Sequence, residues 1–232
     1  MIRFENVHKR YANGREALSG VSFALAKGEM AFLTGPSGAG KSTLLKLIAL
    51  IERPTRGTVL VNSQNTARVA RRRIPSFRQR IGIVFQDHKL LYDRSVFDNV
   101  ALPLVIGGLK PREIGRRTRA ALDQVGLLDR EGHAPVTLST GEQQRVGIAR
   151  AVASRPDVVI ADEPTGNLDP DLSVEIMRLF ERFNEVGVTL LIATHDLELI
   201  EGLGHRTLKL VAGQIVQNTV DRPRTPRSAA PC

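Results

Sequence analysis

A chain of 232 residues has room for one large folded unit, and 42% hydrophobic against 25% charged residues is a globular balance that excludes a wholly disordered chain. The net charge of +9 calls for an anionic partner, while the lack of Trp speaks against a stacking platform for single-stranded nucleic acid. Cys232 is the only cysteine, which rules out an internal disulfide and fits a reducing compartment.

The amino end, Met1-Ile2-Arg3-Phe4-Glu5, runs straight into a mixed polar segment, so no export signal is expected. Short apolar, β-rich runs recur at 23–25, 31–33, 59–61, 81–85, 158–161 and 188–193. Three of them are almost wholly apolar, as strands buried on both faces of a parallel sheet are. Helical patterns occupy 42–48, 113–125, 142–153 and 172–184. Strands alternating with helices predict an α/β fold. Residues 87–155 carry helical patterns and few strand signals, which predicts a helical insertion within the α/β core. The longest apolar stretch, 100–109, contains Pro103 and two glycines and falls short of the ~18 residues that span a bilayer, so a soluble chain is expected. From 218 to 232 three prolines and no apolar periodicity predict a disordered basic tail behind a domain of 1–217.

Gly35-Pro36-Ser37-Gly38-Ala39-Gly40-Lys41-Ser42 matches the phosphate-binding pattern G-x-x-x-x-G-K-[ST], with a strand pattern before it and a helical pattern from Thr43 onward. That context aims backbone N–H groups and a helix start at bound phosphate. Lys41 is expected to reach the β- and γ-phosphates of a nucleotide, and the Ser42 hydroxyl to ligate Mg²⁺. Asp162 and Glu163 end an apolar strand pattern. Burying two carboxylates there is costly unless a metal–phosphate cluster compensates them. Asp162 is then expected to hold the metal and Glu163 to polarise the attacking water as general base.

Five further elements follow in an order that resembles the ABC ATPases. Tyr11 precedes the phosphate loop, where that family stacks an aromatic ring on adenine. Gln86 follows the strand pattern 81–85, where the family senses Mg²⁺ and the attacking water. Leu138-Ser139-Thr140-Gly141-Glu142-Gln143-Gln144-Arg145 resembles the signature L-S-G-G-[EQ]-Q, Gly166-Asn167-Leu168-Asp169 the dimer-contacting loop, and His195 the switch histidine. The resemblance spans 1–217. It implies a P-loop core with a mainly parallel sheet, an antiparallel β subdomain and an inserted helical subdomain. It also implies ATP and Mg²⁺ as cofactors, Glu163, His195, Gln86 and Lys41 in catalysis, and a homodimer in which Ser139 and Gly141 of one copy close over the nucleotide of the other.

Flanking segments, among them Ile51-Glu52-Arg53-Pro54, Ile83-Val84-Phe85-Gln86-Asp87-His88 and Leu90-Leu91-Tyr92-Asp93-Arg94-Ser95-Val96, resemble the FtsE branch of that family. This implies a bacterial cell-division ATPase at the cytoplasmic face of the inner membrane, docked on an FtsX-like membrane protein to control cell-wall hydrolysis, with FtsZ as a further contact. Alternatives are the ATPase of a lipoprotein-release or macrolide-export transporter, and an ATP-gated scaffold with little turnover. A DNA-associated member would carry heptads or clustered cysteines, which are absent, so no nucleic acid partner is expected. The basic clusters around Arg71-Arg72-Arg73 and Arg116-Arg117 read either as solvated helix faces or as lipid- or partner-facing surfaces. His88-Lys89-Leu90-Leu91-Tyr92 reads, by fold-level analogy, as a docking segment for a short helix of the membrane partner, the alternative being that Leu90 and Leu91 pack the two lobes together.

Two positions depart from the family pattern. Thr140 replaces the first signature glycine, which predicts backbone strain if that position needs a positive φ, and with it slower turnover. Leu50 replaces a glycine common after the phosphate-loop helix, which predicts a modified helix end.

Overall fold

Three strands of the larger sheet, β3 (Met30–Thr34), β7 (Val158–Asp162) and β8 (Thr189–Ala193), are buried along nearly their whole length. Their apolar side chains alternate between two cores: Phe32 and Met30 face one, Ala31 and Leu33 the other. Each large side chain so buried contributes about 1.5–3 kcal/mol. The computed structural model describes residues 1–219. Its six-stranded sheet runs β10-β9-β3-β8-β7-β6, with β6 (Ile81–Val84), β9 (Arg206–Val211) and β10 (Gln214–Asn218). All neighbours are parallel except β10, which returns antiparallel on β9.

A second sheet of four antiparallel strands, ordered β2-β1-β4-β5, consists of β1 (Ile2–Arg10), β2 (Glu16–Leu25), β4 (Arg56–Val61) and β5 (Gln64–Asn65). Phe4 and Phe23 stack across β1 and β2 with centroids 4.8 Å apart. Helix α1 (Lys41–Ile48) lies in the core shared by the two sheets, through Leu44, Leu47 and Ile48. The short helix α2 (Ile74–Arg78) leads into β6.

Between β6 and β7 the chain runs through α3 (Val96–Ile106), α4 (Pro111–Gln124) and α5 (Thr140–Val152), which pack on one another. Pro103 inside α3 disguises that helix in the sequence, because proline removes a backbone donor and reads as a break. A cap compensates: the Ser95 hydroxyl accepts from Asp98 N at 3.0 Å. Fully buried Asn99 pins the preceding loop, donating to Leu91 O and Ser95 O at 2.9 Å and accepting from Leu91 N at 2.8 Å. The chain closes with α6 (Pro170–Glu185) and the short α7 (Leu197–Glu201) around β8.

The expected tail lies outside the described residues apart from its first two: Asn218 ends β10, and Thr219 N donates to Thr207 O at 3.0 Å. No helix among the described residues is long and apolar enough to cross a membrane.

Candidate active site

The loop between β3 and α1 can be built only from glycine at its two ends. Gly35 (φ 142°) and Gly40 (φ 111°) are left-handed, and a Cβ would stand 2.0 Å from Leu210 O at the first and 2.4 Å from Ala17 O at the second. Gly40 caps α1 without a side chain, and the first turn holds no acidic residue. The N–H groups there are free to meet an anion.

Ser37, Gly38, Ala39, Gly40, Lys41, Ser42 and Thr43 form one wall of a cleft of ≈660 Å³, and Gln86, Asp162, Glu163 and His195 form the other. Gly35 and Pro36, at the start of the loop, line a neighbouring cleft of ≈790 Å³ that also reaches His195. Lys41 is 7% exposed. Its ammonium donates to Gly35 O at 2.7 Å and stands 3.5 Å from Glu163 Oε1. An isolated buried ammonium would be costly, and this carboxylate with two loop carbonyls offsets that cost.

Asp162 ends β7. Burial pushes its carboxyl pKa up, and a hydrogen bond from Ser42 acts in the opposite direction. Its Oδ1 is buried without a hydrogen-bond partner among the described residues. Glu163 turns the chain into the left-handed region (φ 50°), and its N–H is tied to Ala193 O at 2.9 Å. This kink brings the carboxylate round to His195, whose Nδ1 is hydrogen-bonded to Glu163 Oε2.

Tyr11 lies at the other end of the cleft. Its hydroxyl is 3.2 Å from Thr43 Oγ1, and Lys9 Nζ stands 4.9 Å from the ring centroid. Two cations absent from the sequence reading also line the cleft: Lys46 and Arg15, the latter donating to Gly38 O at 3.2 Å. Lys46 was within reach of inference, because it follows Ser42 by four residues on α1 and so shares its face. Arg15 carries no such signal, since only the turn after β1 brings it to the loop.

Ser139 and Gly141 are not part of this cleft. Ser139 is exposed at the start of α5, where its hydroxyl accepts from Glu142 N at 3.3 Å while Ser139 N donates to Glu142 Oε2 at 2.8 Å. This capping box holds the helix start open to solvent. Gly141 packs on α6, where a Cβ would be 3.0 Å from Leu172 Cδ1.

The strain expected at Thr140 is absent. Thr140 is the first helical residue of α5, in ordinary right-handed backbone that a β-branched residue adopts readily. The strain is at Leu50, which is left-handed (φ 53°) and 3% exposed. The docking segment divides in two: His88 and Leu90 are buried, whereas Leu91 and Tyr92 are 40% and 54% exposed.

A protein-family model described as ABC transporter matches residues 18–166. The cell division ATP-binding protein FtsE of Escherichia coli (strain K12) is 58% identical over 215 residues, covering 93% of this chain and 97% of that protein. Its counterpart in Bacillus subtilis (strain 168) is 46% identical over 218 residues, covering 94% and 96%. Among solved structures, a dimer of the ATP-binding cassette MJ0796 in a post-hydrolysis state, bound to ADP and Pi, matches with a TM-score of 0.87 at 34% identity, over 96% of this chain and 100% of that one.

Proposed function

The chain belongs to the ABC transporter family of ATPases, on its FtsE branch, and from that premise we propose that it drives an FtsX-like membrane protein in bacterial cell division. One observation carries the reading: Lys41, Asp162, Glu163, Gln86 and His195 converge on one cleft, while exposed Ser139 caps a helix start elsewhere on the molecule, with Gly141 buried in its first turn. A single copy therefore holds two unlike halves of a nucleotide site, and two copies related by a twofold axis complete two sites.

In this scheme ATP lies along α1 with its triphosphate against the loop and Lys41. Glu163, steadied by His195, takes the proton of the attacking water, and Gln86 orients that water. Ser139 and Gly141 of the second copy close over the γ-phosphate. The donor set fits Mg²⁺, because the unpartnered Asp162 Oδ1 and the nearby Ser42 hydroxyl are hard oxygen ligands. Ser42 and Asp162, with Gln86, would hold the ion, whose chemistry is to neutralise charge on the phosphates. ATP thus joins two copies and hydrolysis releases them, which converts turnover into motion.

A groove of ≈250 Å³ between the sheet and the helical layer suits a short helix of the membrane partner. Phe85, Lys89, Leu102, Pro103 and Ile106 line it, and Ile106 is 65% exposed. The placement at the inner face of the membrane rests on this partner. The FtsE resemblance adds FtsZ as a further contact. The test is co-purification with the FtsX-like protein together with cell length. The unaltered chain should be retained by that membrane protein, and cells whose only copy carries Glu163→Gln should filament. Normal division with Glu163→Gln would overturn the reading.

A further inference from the structure

Helix α5 grips the loop that follows Gln86. His88 Nδ1 lies 2.5 Å from Gln144 Oε1, and both side chains are buried, at 8% and 1% exposure. Arg150 donates through Nη1 to Lys89 O at 2.7 Å and through Nη2 to His88 O. Between them, a Cβ on Gly147 would stand 3.9 Å from His88 O. Gln144, Gly147 and Arg150 are spaced by three, so they form one stripe along the helix. The gripped backbone is itself unusual: His88 and Lys89 are both left-handed, at φ 54° and 49°. Two consecutive non-glycine residues in that region persist only where surrounding contacts hold them. Gln144 and Arg150 supply those contacts.

The same helix is capped by Ser139, eleven residues before Arg150 and roughly 16 Å away along a rigid rod at 1.5 Å per residue. Gln86, two residues before His88, lines the cleft of its own chain, and Arg150 and Lys89 line the groove between sheet and helices. We propose that Gln144 and Arg150 are positioning residues for ATP hydrolysis, locking loop 86–89 to α5 so that Gln86 and the Ser139 helix start move as one body. This rests on the reading above in which Gln86 orients the attacking water. Neither residue touches the nucleotide; both act through the place they give Gln86.

The test is steady-state ATP hydrolysis by the full chain, with Arg150→Lys and Gln144→Met each made alone and on top of Gln86→Ala. Arg150→Lys keeps the charge and loses the two-pronged donor. Gln144→Met replaces a buried amide, whose Nε2 has no hydrogen-bond partner among the described residues, by an apolar chain of similar size. In the parent each should lower kcat by about tenfold, less than the ~hundredfold that a full ångström of misplacement can cost, with KM for ATP within about twofold. In the Gln86→Ala background the same substitutions should lower kcat by less than about twofold, because what they position is gone. Equal losses in both backgrounds would mark a merely structural role and overturn the proposal, as would an unchanged kcat in the parent. Gln86→Ala turning over at the parent rate would overturn the role of Gln86 and this proposal with it. Should Arg150→Lys fail to fold, Gln144→Met carries the test alone.

Discussion

Glu163 and His195 meet across the end of two neighbouring strands, carboxylate Oε2 on imidazole Nδ1, although 32 positions separate them. The other carboxylate oxygen faces Lys41 Nζ at 3.5 Å. Each oxygen thus has its own partner, and the side chain is 15% exposed, so little freedom remains in where it points. That suits a base that must meet one water in one place.

Replacing Glu163 by Gln keeps the shape and removes the basicity. ATP binding should persist, turnover should fall at least about a hundredfold, and the stalled protein should elute as a dimer with ATP and as a monomer with ADP. Size-exclusion chromatography alongside phosphate release checks both halves. Hydrolysis near the parent rate would remove Glu163 from the role of base.

Ser139 has two separable duties, and substitution can divide them. As an N-cap its loss in Ser139→Ala should cost about 1 kcal/mol in thermal or urea unfolding. Asp caps as well as Ser, so Ser139→Asp should regain that stability, yet its negative charge would oppose a γ-phosphate from a second copy. ATP-dependent dimerisation of Glu163→Gln should therefore be lost in both variants, and a dimer with Ser139→Asp would argue against this contact. The cap also has a pH signature. The Ser139 amide, first among several causes, holds the Glu142 carboxyl below its ordinary value of 4.5. Its share of stability is present above the unfolded value and is lost as pH falls through the lower folded one, so Glu142→Gln should flatten the acid limb of stability.

The parallel strands were legible because both faces are buried: 158–161 and 188–193 read as apolar runs, too short for a buried helix and of the length a sheet centre needs. β1 was not legible. It pairs on both edges, but register shifts after Phe4 and Val7 break the alternation that a half-buried strand would display. The phosphate loop and the acidic pair are local, so their residues announce themselves at fixed spacing. The Glu163–His195 contact, the approach of Arg15 to Gly38 and the grip of α5 on His88 join segments far apart in the chain. No window of sequence contains both partners of any of them.

Leu50 sets two costs against each other. Its left-handed backbone costs about 1–2 kcal/mol, and its side chain is buried in the core that also holds Val61 and Phe77. Arg78 holds the turn by donating to Ala49 O at 3.2 Å and Leu50 O at 3.1 Å. Leu50→Ala keeps the strain and empties the core, so it should lose about 2–4 kcal/mol. Leu50→Gly empties the same space but relieves the strain, less about 0.4–1 kcal/mol for the freer unfolded chain. The expected order of melting temperature is parent, then Leu50→Gly, then Leu50→Ala, which inverts the usual ranking of Gly below Ala. Alanine melting above glycine would show that the backbone there is relaxed.

Thr140 decides whether this chain is a slow member of its family. The case for an ATP-gated scaffold requires a threonine forced into glycine-only backbone, and α5 instead begins at Thr140 with ordinary helical geometry. The side chain is exposed, beside a cap that the Ser139 and Glu142 pair completes without it. Thr140→Gly therefore has no strain to release. It should change stability by no more than about 0.5 kcal/mol, since glycine is only slightly worse than threonine in a first turn, and leave kcat within about twofold. The two measurements separate the remaining cases. A kcat that rises fivefold or more at unchanged stability would mean that the threonine methyl obstructs the second copy as the dimer closes, and the cost would then lie in the interface between copies rather than in the backbone of either one.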